Sequence, residues 1–357
     1  MTNHAKIKVF GVGGAGCNAV NRMVDANVGG AEFYVCNTDL QVLEVSNCVN
    51  KIALGPDIIK GLGAGGDPEV GREAAKASEE EIAAAIEGAD MVFITAGLGG
   101  GTGTGAAPLF AKIAKSKGAL TVAVVTKPFS MEGNRRGNNA NEGLKELEQH
   151  VDSIIIISNE KVKDVIGNIP IVDSFREVDN ILRQAVQTIT DLIETPALIN
   201  LDFNDVKSVM KDQGRALIGI GMAKKTGDNN AASEAAALSI QSPLLDSKIA
   251  GAQNAIINIS GGNSLCLEDC EDAINVIRQA TGNNLEIIQG FYINDALGDE
   301  IIVSIIATGF DKEIKENPIT FDNQINNNRP NNLNRPKMVQ VKEINEEQKV
   351  PGFFKNR

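Results

Sequence analysis

Short continuous apolar runs alternate with helix-like segments through the first half of the chain. Ile7–Val12 and residues 33–37, 91–95, 120–125 and 153–157 are the runs, of the kind that strands buried on both faces require. Between them, residues 69–87, 106–116 and 141–150 have helix-favouring compositions, and a further helix begins at about Ala19. This alternation predicts a parallel sheet with crossover helices. A longer helix is expected from Asp173 or Ser174, either of which can cap it, to just before Pro196. Its Phe175, Val178, Ile181, Leu182, Ala185, Val186, Ile189, Leu192 and Ile193 fall on one stripe and read as core. From about Leu217 to Phe310, helices at residues 231–239 and Leu267–Thr281 mix with strand-like residues 255–259, 285–290 and 300–307, which predicts a smaller mixed sheet. The pattern then fails. Residues 325–337 are rich in Asn, Arg and Pro and bury too little to offset chain entropy, so a disordered linker is expected there.

At 357 residues the chain can hold two cored domains and a tail. The expected divisions are 1–172, a central helix over 173–199, 200–310, a linker over 311–348 and a terminal peptide over 349–357. A net charge of -12 argues against nucleic acid or an anionic membrane as the main partner. Phosphate ligands remain compatible with that charge, because backbone N–H groups bind them without cationic side chains. The five cysteines are odd in number and scattered, so they read as reduced thiols. Cys266 and Cys270 lack companions for a four-ligand set, His4 and His150 being the only histidines, and no metal site is expected. No apolar run approaches the roughly 18 to 20 residues of a membrane span, so a cytoplasmic protein without membrane insertion is expected.

Candidate chemistry lies in the glycines. Gly11-Val12-Gly13-Gly14-Ala15-Gly16 follows a strand, opens a helix and satisfies G-x-G-x-x-G, with Asp39 after the next strand. On its own this motif fits a dinucleotide-binding oxidoreductase. A second loop, Gly97-Leu98-Gly99-Gly100-Gly101-Thr102-Gly103-Thr104-Gly105, follows the run at 91–95, and a third, Gly61-Leu62-Gly63-Ala64-Gly65-Gly66, precedes Asp67-Pro68. Such loops let backbone N–H groups close on phosphate oxygens, and two of them at neighbouring strand ends suit a nucleotide with several phosphates. The sequence has no G-x-x-x-x-G-K-[ST], so those phosphates are held without a Walker lysine. A noncatalytic nucleotide-binding scaffold would also explain the loops.

GGGTGTG over 99–105 resembles the phosphate signature of the tubulin superfamily. GVGGAGCNAVNRM from Gly11, NTD from Asn37, ADMVFITAG from Ala89, PFSMEG from Pro128, FREVDNILRQ from Phe175 and NLDFNDVK from Asn200 each resemble segments of its FtsZ family, in that family's order. The resemblance covers about residues 7–310, and the tail is similar to the family's terminal peptide. It implies an α/β fold: a Rossmann-like GTP-binding domain, a long central helix, a smaller C-terminal α/β domain with a mixed sheet, and a disordered tail. It implies GTP/GDP as ligand with Mg²⁺ on the nucleotide, and an assembly-dependent GTPase of the bacterial division ring at mid-cell. By matched motif, Gly13, Gly14, Ala15, Gly16, Cys17 and Asn18 would face the α and β phosphates, and Gly100, Gly101, Thr102 and Gly103 would cradle the phosphate chain. Glu132 and Arg136 would reach the ribose, and Asn159 and Asp179 the guanine, whose N1–H and amino donors a carboxylate accepts. Cys17 stands where Asn or Gly is common and would make binding sensitive to thiol reagents; Asn134 replaces a frequent basic residue.

About 16 helical residues separate Asp179 from the acidic loop at 200–205, roughly 24 Å along the axis, so that loop is not expected to reach its own nucleotide. The resemblance implies that Asp202 and Asp205 enter the next subunit's pocket and polarise the attacking water, in a head-to-tail contact that propagates as a filament. At the far end Pro351, Phe353 and Phe354 form a docking-peptide candidate flanked by cations. The resemblance points it to a membrane-anchoring protein such as FtsA or SepF.

Overall fold

The structure is a computed structural model that describes residues 5–167, 169–194, 202–226, 230–241, 249–282 and 285–310. The linker and the candidate peptide with Pro351, Phe353 and Phe354 lie outside the described residues. Elements run in the order β1 (Ile7–Val12), α1 (Gly13–Asp25), β2 (Ala31–Asn37), α2 (Leu40–Glu44), β3 (Asn50–Ala53), α3 (Pro56–Ile59), α4 (Pro68–Ala77), α5 (Glu79–Ile86), β4 (Met91–Gly97), α6 (Thr102–Ser116), β5 (Leu120–Lys127), α7 (Asn134–Glu148), β6 (Ser153–Ser158), α8 (Asn159–Ile166) and α9 (Ile171–Glu194). They continue with α10 (Phe203–Met210), β7 (Gly214–Lys224), α11 (Ala231–Ile240), β8 (Asn254–Gly261), α12 (Leu267–Thr281), β9 (Glu286–Ile293) and β10 (Glu300–Thr308).

The strands lie in the order β3-β2-β1-β4-β5-β6-β7-β10-β8-β9. From β3 to β6 every pairing is parallel, as the apolar runs and intervening helices predict. The chain moves outward from β1 to β3, then returns to β4 on the other side of β1. That reversal places a topological switch point between β1 and β4, where open parallel sheets bind ligands beyond their strand C-termini. One face of this sheet is covered by α4 to α7: Ala74, Ile82, Phe110 and Leu144 cluster with Phe10, Ile94 and Val125. On the other face α1 packs on β1, β2 and β4, and α9 packs on α1 and β5.

Beyond β6 the sheet changes character. Ser153 to Ile155 pair in parallel with Gly214 to Ala216 of β7, β10 is antiparallel to both β7 and β8, and β9 is parallel to β8. This mixed half has its own core, in which Ala232, Ala235 and Ala236 of α11 and Ala273 and Ile277 of α12 meet Ile257, Ile259, Val303 and Ile305.

Three expectations need correction. The helical stretch at 69–87 is two helices, because the Ser78 hydroxyl accepts from Gly55 N and donates to Ala53 O, tying the break to the end of β3. The helix after the second glycine loop starts at Thr102, inside the loop, so the loop's own N–H groups form the helix N-terminus. Phe175 belongs to the apolar stripe of α9 but is 40% exposed, unlike Val178, Ile181, Leu182, Ala185, Val186 and Ile189, which are buried.

Candidate nucleotide site

The three glycine loops converge at the C-terminal edge of the parallel sheet. Gly13 has φ +74°, and a Cβ placed there would lie 2.7 Å from Gly103 N, so the first and second loops approach to a distance that excludes side chains. A Cβ on Gly101 would lie 2.7 Å from the Ala64 methyl and 2.9 Å from Asp67 N, which brings in the third loop. Gly14 and Gly100 face the other way: a Cβ on either would meet nothing within 4 Å. The closed contacts fix the loops and the open positions leave room for a ligand. Side chains brace the cradle from behind, with the Thr38 and Thr102 hydroxyls 2.7 Å apart and Gly99 N donating to Thr104 Oγ1 at 2.8 Å.

Both α1, from Gly13, and α6, from Thr102, begin within these loops and direct their N-terminal N–H groups and positive dipole ends toward the same space. Neither helix has an acidic residue in its first turn. An anion of several charges is what this arrangement accepts. Cys17 is a different case from the glycines around it: its thiol is fully buried against Gly11 O and Cys36 O, and burial pushes it up to about 12. The expected sensitivity to thiol reagents through Cys17 is therefore withdrawn, since neither access nor thiolate is provided.

Next to the cradle a cleft of about 470 Å³ opens between α1 and α9, lined by Asn18, Asn21, Arg22, Asp25, Val172, Phe175, Arg176 and Asp179. Asp179 is 8% exposed; burial raises it to about 6, against the pull of Arg22, whose Nε lies 3.4 Å from Oδ2. Phe175 offers an aromatic surface here and is braced edge-on by buried Phe129, with ring centroids 5.3 Å apart. A planar ring presenting N–H donors fits between such a surface and a buried acceptor. Asn159, at the junction of β6 and α8, carries a buried Oδ1 with no hydrogen-bond partner, a second acceptor awaiting a donor. It does not line the cleft itself. Glu132 accepts from Phe129 N at 2.9 Å and pairs with Arg136, whose backbone O a Cβ on Gly99 would meet at 2.8 Å, so Arg136 adjoins the second glycine loop.

Asp202 and Asp205 are elsewhere. They form a reciprocal box at the start of α10: Asp202 Oδ1 accepts from Asn204 N at 2.8 Å and Asp205 N at 3.0 Å, and Asp205 Oδ2 accepts from Asp202 N at 2.9 Å. The other end of α10 is docked on the N-terminal edge of the sheet, where the Ser153 hydroxyl donates to Met210 O and the Thr308 hydroxyl to Val209 O. Among the described residues no three His, Cys, Asp or Glu side chains gather to hold a metal, and no helix is long and apolar enough to cross a membrane. Phe175, Asn21 and Arg22 are site residues that motif reading did not single out. Phe175 carried a signal, as the first residue of the FREVDN segment.

Residues 6–167 match the Tubulin/FtsZ family, GTPase domain, and residues 214–311 match the FtsZ family, C-terminal domain. Among solved structures, the fold is similar to an empty FtsZ dimer from M. jannaschii at 45% identity, covering 87% of this chain and 89% of that one with a TM-score of 0.81. It is also similar to CetZ1 from Haloferax volcanii, a GDP-bound monomer (21% identity, 86% and 95% covered, TM-score 0.76). CetZ2 from the same organism, a GTPγS-bound protofilament, matches at 22% identity with 86% and 94% covered and a TM-score of 0.75. The CetZ likenesses speak for the fold alone. With both domain families matched in order and an FtsZ chain matched at 45% identity over most of its length, this chain belongs to the FtsZ family and is a GTPase of the tubulin-like cytoskeletal fold.

Proposed function

We propose that this GTPase polymerises head to tail and builds the division ring at mid-cell in bacteria, with each active site completed by the neighbouring subunit. The reading rests on one observation: the phosphate cradle and the docked end of α10 occupy opposite edges of the same sheet. The α6 helix spans the gap, with Thr102 in the cradle and Lys115 thirteen residues on, roughly 20 Å along the axis. Asp202 and Asp205 then serve the nucleotide of the next copy, as expected from their motif. A solved relative supports assembly, being an FtsZ dimer.

In this mechanism the loops around Gly13, Gly14, Ala15, Gly16, Asn18, Gly100, Gly101, Thr102 and Gly103 hold the phosphates, and Asp179 with Asn159 selects guanine. Asp202 and Asp205 of the incoming copy orient a water in line with the terminal phosphorus, and the bond to the bridging oxygen breaks to leave GDP and phosphate. Magnesium would be carried by the phosphates that these loops hold and would neutralise their charge. The divisions follow as a GTP-binding domain over 1–172, a central helix over 173–199 and a C-terminal domain over 200–310. The terminal peptide at 349–357, with Pro351, Phe353 and Phe354, docks on an anchoring protein such as FtsA or SepF; truncation after Gln348 should leave assembly intact and remove capture of that anchor.

Dilution tests the central claim. GTP turnover per molecule should collapse below an assembly threshold with GTP saturating. A specific activity that stays constant in a sample shown by sedimentation to be monomeric would mean that one chain holds the whole site.

A further inference from the structure

Lys115 lies in the last turn of α6, at the end opposite the phosphate cradle. Its ammonium reaches three oxygens: Asp212 Oδ1 at 2.9 Å, Asp152 Oδ1 at 3.2 Å and Val151 O at 3.3 Å. All three of its donors are thus used. The two carboxylates belong to different parts of the molecule. Asp152 is buried at the foot of β6, where its Oδ2 accepts from Thr121 N at 2.8 Å and its carbonyl accepts from Gly214 N at 2.9 Å. Asp212 sits in the turn that joins α10 to β7, at a φ of +54° that few non-glycine residues adopt. The Asp212 arm of the cluster is exposed and the Asp152 arm is buried, so Lys115 bridges a surface turn to the sheet's interior. The hydrogen bond from Lys115 is the main reason the Asp212 carboxyl is lowered below the usual range.

We infer that Lys115 is a positioning residue for hydrolysis: it fixes α10, and with it the Asp202/Asp205 box, in register with the phosphate end of α6. The inference rests on the reading that those acids act on a neighbouring nucleotide. One helix, α6, carries the cradle at its first turn and Lys115 at its last. One short helix, α10, carries the acids at its first turn and leads into Asp212 after its last. Lys115 and Asp212 tie the two rods together at their adjoining ends. In a filament the acids offered by one copy are then indexed to that copy's own GTP-binding sheet, so the spacing from cradle to acid repeats without slack from subunit to subunit. In-line attack is sensitive to displacements of about 1 Å, so loosening this tie should cost turnover without touching the phosphate loops.

Full-length protein carrying Lys115→Met, Lys115→Arg or Asp212→Asn decides it, with three readouts: GTP affinity of the monomer, filament mass by sedimentation, and phosphate release per filament subunit. Lys115→Met should bind GTP as wild type does and still assemble, but release phosphate about tenfold more slowly, and Lys115→Arg should recover most of the rate. Asp212→Asn, at an exposed position, should fall between them, and it decides the matter if Lys115→Met leaves the buried Asp152 uncompensated and does not fold. Wild-type phosphate release from Lys115→Met or Asp212→Asn filaments overturns the inference. So does an equal loss of GTP affinity and turnover, unrescued by arginine, which would mark the cluster as merely structural. The reading beneath it fails separately, in the wild-type dilution series.

Discussion

The two edges of the parallel sheet are built from opposite materials. At the C-terminal edge, loop meets loop through backbone: Gly13 against Gly103, Gly101 against Asp67, with no charged side chain in the contacts. At the N-terminal edge the contacts are ionic and side-chain made, with Lys115 between Asp152 and Asp212, and the Asp202/Asp205 box at the head of the helix docked there. A cradle made by backbone contacts leaves no room for added atoms where the loops touch, at Gly13, Gly101 and Gly103. Carboxylates at a helix start are partly exposed, and the hydrogen bonds that cap α10 leave oxygens free to act on something outside. Binding and chemistry should therefore come apart under mutation.

The largest effect is expected at the closed edge. Gly103→Val would place side-chain carbon 2.7 Å from Gly97 O and 3.2 Å from Val12 O, forcing the loops apart. GTP affinity should fall by at least about a hundredfold in a fluorescent-nucleotide titration, equivalent to losing one or two of the cradle's hydrogen bonds to a charged group. Gly14→Ala, whose Cβ meets nothing, should leave the fold unchanged, read as an unaltered thermal melt. If Gly103→Val binds GTP normally, the cradle is not where the phosphates sit.

The acid edge gives the sharper contrast. Asp202→Ser keeps an oxygen able to accept from Asn204 N and Asp205 N, so the cap survives, while the charge is gone. Turnover should drop about a hundredfold with GTP affinity and melting temperature nearly unchanged, as for loss of a group that acts only in the transition state. Asp205→Ala should do the same to turnover and also cost about 1 kcal/mol from the lost box, giving filaments that persist longer. Wild-type turnover in Asp202→Ser would assign these acids to capping alone.

How much of this was legible follows from the same contrast. A backbone cradle needs glycine at fixed places after strands, and glycine is visible in a sequence; hence Gly13, Gly101 and Gly103 stood out before any fold was known. The base cleft depends on side chains from α1 and α9 that meet only in the tertiary structure. Phe175 shows the limit. Its spacing put it on the buried face of α9, but periodicity says which way a residue points and not where the packed neighbour ends, and α9 extends past its cover. Arg22 stood inside the GVGGAGCNAVNRM segment, but nothing marked it apart from the other polar residues of that helix until Asp179 is placed 3.4 Å away. The break at Ser78 was readable in principle, as Ser78 followed by Glu81 matches a helix-start pattern, though its hydroxyl instead ties to the end of β3. β3 was missed because four residues with two exposed polar ones carry too little apolar pattern.

A moderate effect is expected at Asp179 itself. Asp179→Ala removes a charge-assisted acceptor for the guanine donors, a loss of about 1.5 to 3 kcal/mol, so GTP affinity should weaken roughly ten- to a hundredfold and preference over ATP should erode. Equal GTP affinity in the variant would place the base elsewhere.

The smallest predicted effect is also the most specific, because two observables should move in opposite directions with pH. Burial raises Asp179 to about 6 in the folded protein, against 3.8 for the ordinary side chain. In the nucleotide-free protein the folded state therefore holds its proton more tightly than the unfolded state, and the strain of a buried carboxylate is relieved as pH falls through about 6 toward 4. Asp179's contribution to stability should rise over that interval. The proposed recognition of guanine uses the ionised carboxylate, and on that reading affinity should fall over the same interval, by about twofold at pH 6 and roughly tenfold at pH 5. The terminal phosphate of GTP also takes up a proton near pH 6, so the slope must be read against Asp179→Asn, which shares the phosphate titration and lacks the carboxylate. The difference between the two affinity profiles isolates Asp179. Among the described residues Arg22 is the one counter-charge placed on it by a direct contact, while Arg176 and Asp25 line the same cleft from α9 and α1. Arg22→Gln should shift the wild-type inflection upward, toward neutral pH, because it removes the group that holds the carboxylate down. Identical pH profiles for wild type and Asp179→Asn would show that Asp179 does not meet the base as a carboxylate, and the base-cleft assignment would fall with it.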